Sequence, residues 1–462
     1  MRVLVYGLGR SGGAVSRLLR RQGHEVLLFD RAPDGAQLAE LIGLGCRPVS
    51  DVHGSEAELC VAAPGVAWDH PDLAALRARG LETIGEVEWV YRTISTGVPT
   101  GISTGIPTDF VGVTGTAGKG TVTRWLTVVL ERAGIAARAG GNIDPALAEV
   151  AEAGVTLVTE LSSFMLERCP TLKPRVAVIL NLGVDHLDRH GSVAAYHAAK
   201  GKLLDNLDET STFVYNADDP ILPGWAAACP AHALGYSLEG PAQAHLQGGW
   251  LHLRGVKLVE TGKLRLRGSH NHGNALAVAL AAAALGLNHR AIAAGLPHFG
   301  GLPGRYSLIG KVGGVSFVED SIATRGLAVR AALASTPAPI VWIGGGLDKG
   351  ADFEPLEGLV RAKVALFIGV GAAGPAFAER LGGLTRTLVM SELSGREALR
   401  RACAEALAFC HAERLGGATV LFSPLAASFD QFRDYAERAR VFREVVASLG
   451  ALRENEEAPA WT

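Results

Sequence analysis

The sequence has no run of about 18 apolar residues free of charges and turn residues, which excludes an ordinary membrane-spanning helix. Its six cysteines (Cys46, Cys60, Cys169, Cys229, Cys403 and Cys410) are scattered, and none forms a Cys-x-x-Cys pair. That excludes a disulfide framework and a structural zinc site, and suits reduced thiols in a cytoplasm. Charge of one sign is also missing. With 44 Lys and Arg against 46 Asp and Glu the net charge is −2, so no field draws nucleic acid or an anionic membrane surface. The opening Met-Arg-Val-Leu-Val-Tyr-Gly is a short apolar run broken by glycines and Arg10, which predicts neither a signal peptide nor an anchor. Lysine is scarce, with nine in the chain, so a lysine placed where chemistry needs a compact or deprotonable amine stands out.

What is present points to phosphate. Residues 111–121 read Val-Gly-Val-Thr-Gly-Thr-Ala-Gly-Lys-Gly-Thr, an apolar lead-in turning through Gly112, Gly115 and Gly118 to Lys119 and a helix-like stretch from Val122 to Leu130. A strand that turns through glycines into a helix presents backbone N–H groups to an anion, and Lys119 adds a full charge. The match to the P-loop pattern is imperfect, because Val113 replaces a glycine and Gly120 replaces the hydroxyl residue after the lysine. A second nucleotide signal opens the chain. A strand over 3–9 carries Gly7-x-Gly9-x-x-Gly12, a helix follows over 14–21, and the strand from Glu25 ends at Asp30, the βαβ dinucleotide-type spacing. Ala62-Ala63-Pro64-Gly65-Val66 reads as another strand end breaking into a loop on the same side.

At 462 residues the chain is too long for one ordinary core and suggests about three domains. Between Tyr91 and Asp109 an Ile-Ser-Thr-Gly-(Val/Ile)-Pro-Thr repeat, nearly uncharged, marks a linker. Beyond the P-loop, strands over 155–160 and 176–181 end in Glu160 and Asn181, and His186 follows shortly after. Ligands of open α/β sheets sit beyond the carboxyl ends of strands, so these residues are expected to face one crevice with Lys119. An Ala-rich helix runs from Gly268-Ser-His270-Asn271 to about Ala284. After a hinge-like Gly300-Gly-Leu-Pro-Gly304 the strand–helix rhythm restarts at 315–320, 340–345, 364–369 and 419–423, and the tail from Arg453 is expected to fray. The predicted fold is α/β in three domains: 1–94, Rossmann-like; 95–301, P-loop ATPase-like with a mostly parallel sheet; and 302–462, Rossmann-like again.

Taken in order, the chain resembles the Mur ligases of bacterial cell-wall synthesis. The resemblance spans nearly the whole sequence and rests on Ala63-Pro-Gly-Val, Gly112-Val-Thr-Gly-Thr-Ala-Gly-Lys, Gly140-Gly-Asn142-Ile, Glu160-Leu-Ser-Ser-Phe-Met-Leu-Glu, Asp185-His-Leu-Asp-Arg, Tyr196-His-Ala-Ala-Lys200, His270-Asn-His-Gly-Asn-Ala, Gly304-Arg305, Glu319-Asp-Ser-Ile-Ala-Thr324, Gly345-Gly-Leu-Asp-Lys349-Gly-Ala-Asp-Phe353 and Ser423-Pro-Leu-Ala-Ala-Ser-Phe-Asp-Gln-Phe432. It implies a ligase that uses ATP and Mg²⁺ to add D-glutamate to UDP-N-acetylmuramoyl-L-alanine through an acyl phosphate. The expected form is a cytoplasmic monomer with no nucleic-acid or membrane partner.

By the same resemblance, Gly115, Thr116, Gly118, Lys119, Gly120, Thr121, Asn271, Arg305 and Asp320 bind ATP. Lys119, Glu160, His186 and Lys200 carry the chemistry. Thr121, Glu160, His186 and Lys200, the last as a carbamate, hold the metal. Arg10, Ser11, Asp30, Arg31, Gly65, Asn142 and Ser162 hold the UDP-substrate, and Thr324, Lys349, Ser423 and Phe432 hold glutamate. Ala117, Gly120, Met165, Ile322 and Arg325 depart from the family's pattern. The hand of the glutamate stays open, since one carboxylate clamp can be built for either. A folylpolyglutamate synthase-like ligase shares the phosphate loop but normally lacks the N-terminal segment that residues 1–94 supply. An NAD-dependent dehydrogenase leaves the second phosphate loop unexplained. Ala117, Gly120 and Ile322 are what would mark a non-catalytic nucleotide-binding relative.

Overall fold

Three runs of short, buried, Val- and Leu-rich strands alternate with helices along the chain, the pattern that builds parallel sheets covered on both faces. In the computed structural model, which describes residues 1–95, 108–266, 268–302, 304–390 and 393–450, these runs form three sheets. Most of the linker repeat, Pro303 of the hinge, and the tail lie outside the described residues. The chain divides into two units. One runs from Met1 to Arg265 and resumes over Ser269–Phe299; the other starts at Gly300.

The first unit contains two sheets. Five strands order as Arg47–Pro48, Glu25–Phe29, Arg2–Tyr6, Leu59–Ala62 and Thr83–Ile84, all parallel. The second sheet has nine strands. Its parallel part places Phe110–Thr114 centrally, between Val176–Ile179 and Thr156–Glu160, with Ala137–Gly141 at the edge. On the other side Thr212–Asn216, His232–Ser237 and Ala244–Gln247 continue it, and Trp250–Leu253 and Val256–Glu260 close it as antiparallel strands. The antiparallel end was not anticipated: its His and Trp residues alternate with leucines over only four-residue strands, too short for a clear period.

The strand Phe110–Thr114 is buried throughout and feeds the helix Lys119–Arg132, which starts earlier than the apolar pattern alone suggests. The helix Ser269–Ala284 packs against it and is buried over most of its surface, its alanine-rich second half leaving no polar face to solvent. Trp125 stacks on Phe299, with ring centroids 5.3 Å apart, and its indole N–H donates to the Leu296 carbonyl at 3.0 Å. Helix Val193–Gly201 begins at Ser192, whose hydroxyl accepts the Ala195 N–H at 3.1 Å. Lys200, in the last turn of that helix, is buried.

The second unit is a six-stranded sheet in the order Ser307–Val312, Val315–Glu319, Thr419–Phe422, Ile340–Gly345, Val364–Val370 and Arg386–Val389. Only its first pair is antiparallel. Among the described residues no helix is long and apolar enough to cross a membrane.

Candidate active site

The phosphate loop is built around backbone that only glycine tolerates. Gly115 has φ +148° and Gly118 φ +85°, and a Cβ on Gly118 would stand 2.7 Å from Oδ1 of Asn274. Asn181, at the end of the neighbouring strand, splints the loop. Its Oδ1 accepts the N–H groups of Thr116 (3.1 Å) and Ala117 (2.8 Å), and its Nδ2 donates to the Ala117 carbonyl at 3.1 Å. Ala117, where the family pattern has a polar side chain, is therefore held by its backbone alone. The Thr116 hydroxyl accepts the Gly183 N–H at 2.8 Å and lies 3.3 Å from the Tyr196 hydroxyl. Gly120 is buried in the first helical turn, and Thr121 follows half-buried. Lys119 curls back over the loop and donates to the carbonyls of Gly115 (3.0 Å) and Thr116 (3.1 Å).

Lys200 reaches the same loop carbonyl from helix Val193–Gly201. Its Nζ donates to the Gly115 carbonyl at 2.9 Å and lies 4.5 Å from the Tyr196 ring centroid, with 1% of the residue exposed. Burial pulls its ammonium down to about 7; Lys119 pushes the same way, while Asp185 and Glu160 oppose it. Glu160 is buried at the end of its strand. One carboxylate oxygen accepts Asn142 Nδ2 at 2.8 Å, and the other has no hydrogen-bond partner. A buried carboxylate oxygen left unpaired is the kind of atom a hard cation satisfies. Among the described residues no three His, Cys, Asp or Glu side chains converge as a metal cluster. The expected donor set contains only Glu160 and His186 of those types, so a cation here would draw its other ligands from Thr121, a modified Lys200, phosphate oxygens and water. His186 is the exposed member. It sits at φ 51° before the short helix Leu187–His190, with Nε2 3.5 Å from Asp185 and its ring edge against Phe164.

The five-stranded sheet brings part of the nucleotide set toward Glu160. Arg10 Nη2 donates to the Asn142 carbonyl at 3.0 Å, so Arg10, Asn142 and Glu160 form one connected chain. Asp30 closes the first turn, its two oxygens accepting the N–H groups of Leu8 (2.6 Å) and Ala32 (2.9 Å). Gly65 is exposed in the loop after Leu59–Ala62. Ser162 caps the short helix Ser163–Leu166 through the Met165 N–H at 3.2 Å, and Met165 itself is buried in the core. Ser11 is buried and lies beside Glu86, and the exposed Arg31 pairs with Asp72 at 3.4 Å. Asn271, also buried, accepts Asn274 Nδ2 at 3.1 Å, and Asn274 in turn packs on Gly118.

The second unit gathers its own set at the carboxyl ends of adjacent strands. Asp320 is buried, accepting the Ser423 hydroxyl at 3.1 Å and the Tyr306 N–H at 3.0 Å. Burial pushes its carboxyl up to about 7 against the opposing pull of those two hydrogen bonds. Ser423, expected at the glutamate seat, is thus wholly inside and engaged with Asp320. Phe432 packs on the hydrophobic core; the ring beside the exposed Lys349 is Phe429, 62% exposed, with the Lys349 ammonium 5.3 Å above it. Arg305 and Thr324 are exposed. Arg438 is buried and donates to the carbonyls of Ser321 (2.8 Å) and Ala426 (3.1 Å), tying together the loops that follow Val315–Glu319 and Thr419–Phe422.

Asn181 was visible in the sequence as a strand-end residue, but its splinting role was not. Asn274 and Phe429 lay inside recognisable segments with nothing to separate them from Asn271 and Phe432. Arg438 carried no signal.

Two family profiles cover much of the chain: the Mur ligase MurD-like N-terminal domain matches residues 1–85, and the Mur ligase middle domain residues 113–282. The UDP-N-acetylmuramoylalanine--D-glutamate ligase of Thermus thermophilus is 45% identical over 448 residues, covering 97% of each chain. The protein of the same name from Deinococcus radiodurans is 41% identical, over 97% of this chain and 92% of its own. Among solved structures, the MurF ligase of Thermotoga maritima in complex with ADP superposes with a TM-score of 0.58 at 17% identity, covering 96% of this chain and 97% of the other. With a glycine-borne loop carrying two lysines on one carbonyl, a buried carboxylate with an unpaired oxygen, and a relative 45% identical over 97% of the chain, the chain belongs to the Mur ligase family.

Proposed function

We propose that the chain is the ATP-dependent ligase that joins D-glutamate to UDP-N-acetylmuramoyl-L-alanine, a cytoplasmic step of peptidoglycan precursor synthesis. A substrate carboxylate oxygen attacks the γ-phosphorus of ATP and ADP leaves. The glutamate amine then attacks the acyl carbon of the resulting acyl phosphate, and phosphate departs as the amide forms. The observation that carries this reading is Lys119 and Lys200 sharing the Gly115 carbonyl, with the half-paired Glu160 carboxylate close enough to act on Lys200. We read the chain as a monomer of three domains, 1–94, 95–301 and 302–462.

In this reading the loop N–H groups and Lys119 hold the β- and γ-phosphates, with Asn181 keeping the loop in shape while Lys119 swings from the Gly115 and Thr116 carbonyls onto the phosphate oxygens. Asn271, Arg305 and Asp320 take the rest of ATP. Mg²⁺, held by Glu160, His186, Thr121 and a carbamate on Lys200, would neutralise the charge on the transferring phosphoryl group. The Lys200 amine, near neutral in its site, has the lone pair that carbamate formation requires. Arg10, Asp30, Gly65, Asn142 and Ser162 receive the UDP-substrate, with Ser11 and Arg31 at its margin. Lys349 pairs with the glutamate α-carboxylate, with Thr324 and Phe429 beside it; Ser423 and Phe432 support that seat from within.

Phosphate release by the purified protein, measured with ATP, UDP-N-acetylmuramoyl-L-alanine and each hand of glutamate, tests the reading. Release that depends on D-glutamate, with an amide product by mass spectrometry, is expected. Release independent of any amino acid, or none with either hand, would sink it; dependence on L-glutamate alone would keep the ligase and change its substrate.

A further inference from the structure

Arg168 follows the short helix Ser163–Leu166 and is completely buried. Among the described residues no carboxylate lies within ion-pairing distance of it. Instead its Nη1 donates to the Ala63 carbonyl and its Nη2 to the Val66 carbonyl. These two carbonyls bracket Pro64 and Gly65, on a loop more than a hundred residues upstream and belonging to the other sheet of the unit. Arg189 donates to the Val66 carbonyl as well, at 2.7 Å, and the Arg168 carbonyl accepts the Gly85 N–H at 2.9 Å.

The loop so held is the floor of the first nucleotide turn. Gly7 has φ +88°, and a Cβ placed on it would stand 3.0 Å from Ala63 Cβ and 3.1 Å from Val66 Cγ2. A shift of Ala63 or Val66 is therefore felt at Gly7. Burying a guanidinium carries a desolvation penalty that the two carbonyls, the Trp68 ring 5.4 Å from its central carbon and the nearby Glu167 charge offset only in part. What the planar fork does, and an apolar chain cannot, is fix the spacing and direction of two acceptors at once.

We propose that Arg168 is a positioning residue for the UDP half of the nucleotide substrate: it sets the Ala63–Val66 loop, and through it the Gly7 turn, in register with Glu160. The register matters because one substrate must reach from the nucleotide turn to the reacting carboxylate. Glu160 and Arg168 stand on one continuous strand–helix segment, so a single element carries both ends of the ruler. This inference rests on the ligase reading above.

Arg168→Met and Arg168→Lys test it, with steady-state kinetics for all three substrates and calorimetric binding of UDP alone. In Arg168→Met the KM for UDP-N-acetylmuramoyl-L-alanine and the Kd for UDP should both rise roughly tenfold, because part of the loss from two charge-assisted hydrogen bonds reaches the ligand through the displaced loop. The KM values for ATP and glutamate should stay within about twofold of wild type, since no part of their sites is touched. Arg168→Lys, which keeps the charge and loses the fork, should recover part of the UDP affinity. Equal changes in all three KM values, unchanged UDP binding, or loss of folded protein in both variants would overturn the proposal. A wild-type protein that does not turn over the muramoyl substrate would instead overturn the ligase reading.

Discussion

Lys119 and Lys200 donate to the same acceptor, the carbonyl oxygen of Gly115, at 3.0 and 2.9 Å. Burial pulls the Lys200 ammonium down to about 7, and the charge of Lys119 on the same oxygen adds to that. Of the two, Lys200 is the amine that its surroundings favour losing a proton.

Replacing Lys200 with alanine should lower ligase activity by at least about a hundredfold, as the loss of a group that stabilises transition-state charge does. If the lysine acts as a carbamate, millimolar acetate or another short carboxylate should restore part of the rate by refilling the anionic position. Rescue by alkylamines in place of carboxylates would show that the residue works as a cation.

Gly118→Ala forces an L side chain to φ +85° and drives its Cβ into the Asn274 amide, 2.7 Å away. The strain is about 1–3 kcal/mol, and it falls on the turn that leads into the first helical N–H groups. The KM for ATP should rise about tenfold or more while the KM for the muramoyl substrate barely moves. Measuring both in the same preparation separates a loop effect from general loss of stability.

Asp320 makes stability depend on pH. Its carboxyl titrates near 3.8 when unfolded and at about 7 when folded, so between those values the unfolded state has released a proton that the folded state keeps. Its contribution is fully present below about pH 4 and is lost as pH rises to about 7, a fall of about 4 kcal/mol. Asp320→Asn should flatten this slope, and denaturant titrations of wild type and variant at pH 5 and pH 8 check it. An unchanged difference between the two proteins across that range would contradict the assignment.

Lys349→Ala should raise the KM for glutamate roughly tenfold to a hundredfold, the cost of an unpaired carboxylate. ATP binding should be unaffected, because the Lys349 ammonium lies over Phe429 on the exposed face of its loop. Phe429→Ala should shift the same constant in the same direction by a smaller factor. A larger effect of Phe432→Ala on glutamate, with stability intact, would reassign the aromatic wall.

Much of the site was legible because its chemistry is local in the chain. The phosphate loop is spelled by consecutive residues: glycines at 115 and 118 are needed for φ values that other residues resist, and Lys119 opens the helix they lead into. Glu160 and Asn181 were legible for a different reason, since an apolar run followed by a polar residue marks the carboxyl end of a parallel strand, where such sheets place their ligands. The strand-and-helix rhythm of much of the three sheets came from the same short-range pattern, though the antiparallel end of the nine-stranded sheet did not.

What only tertiary structure decided are the pairings between distant segments. No local rule says that Phe429 faces out beside Lys349 while Phe432, three residues on, turns into the core, because that depends on how the loop after Thr419–Phe422 bends over its neighbours. Nor does a pattern of neighbours reveal that Arg168 reaches Ala63, or that Ser423 faces Asp320. The amino-acid sequence by itself determined most of the strand-and-helix alternation and the family resemblance, since propensity, periodicity and glycine geometry act over a few residues. The fold decided which charges are buried, which are shared and which loops they hold, because desolvation and hydrogen-bond geometry exist only once remote segments meet.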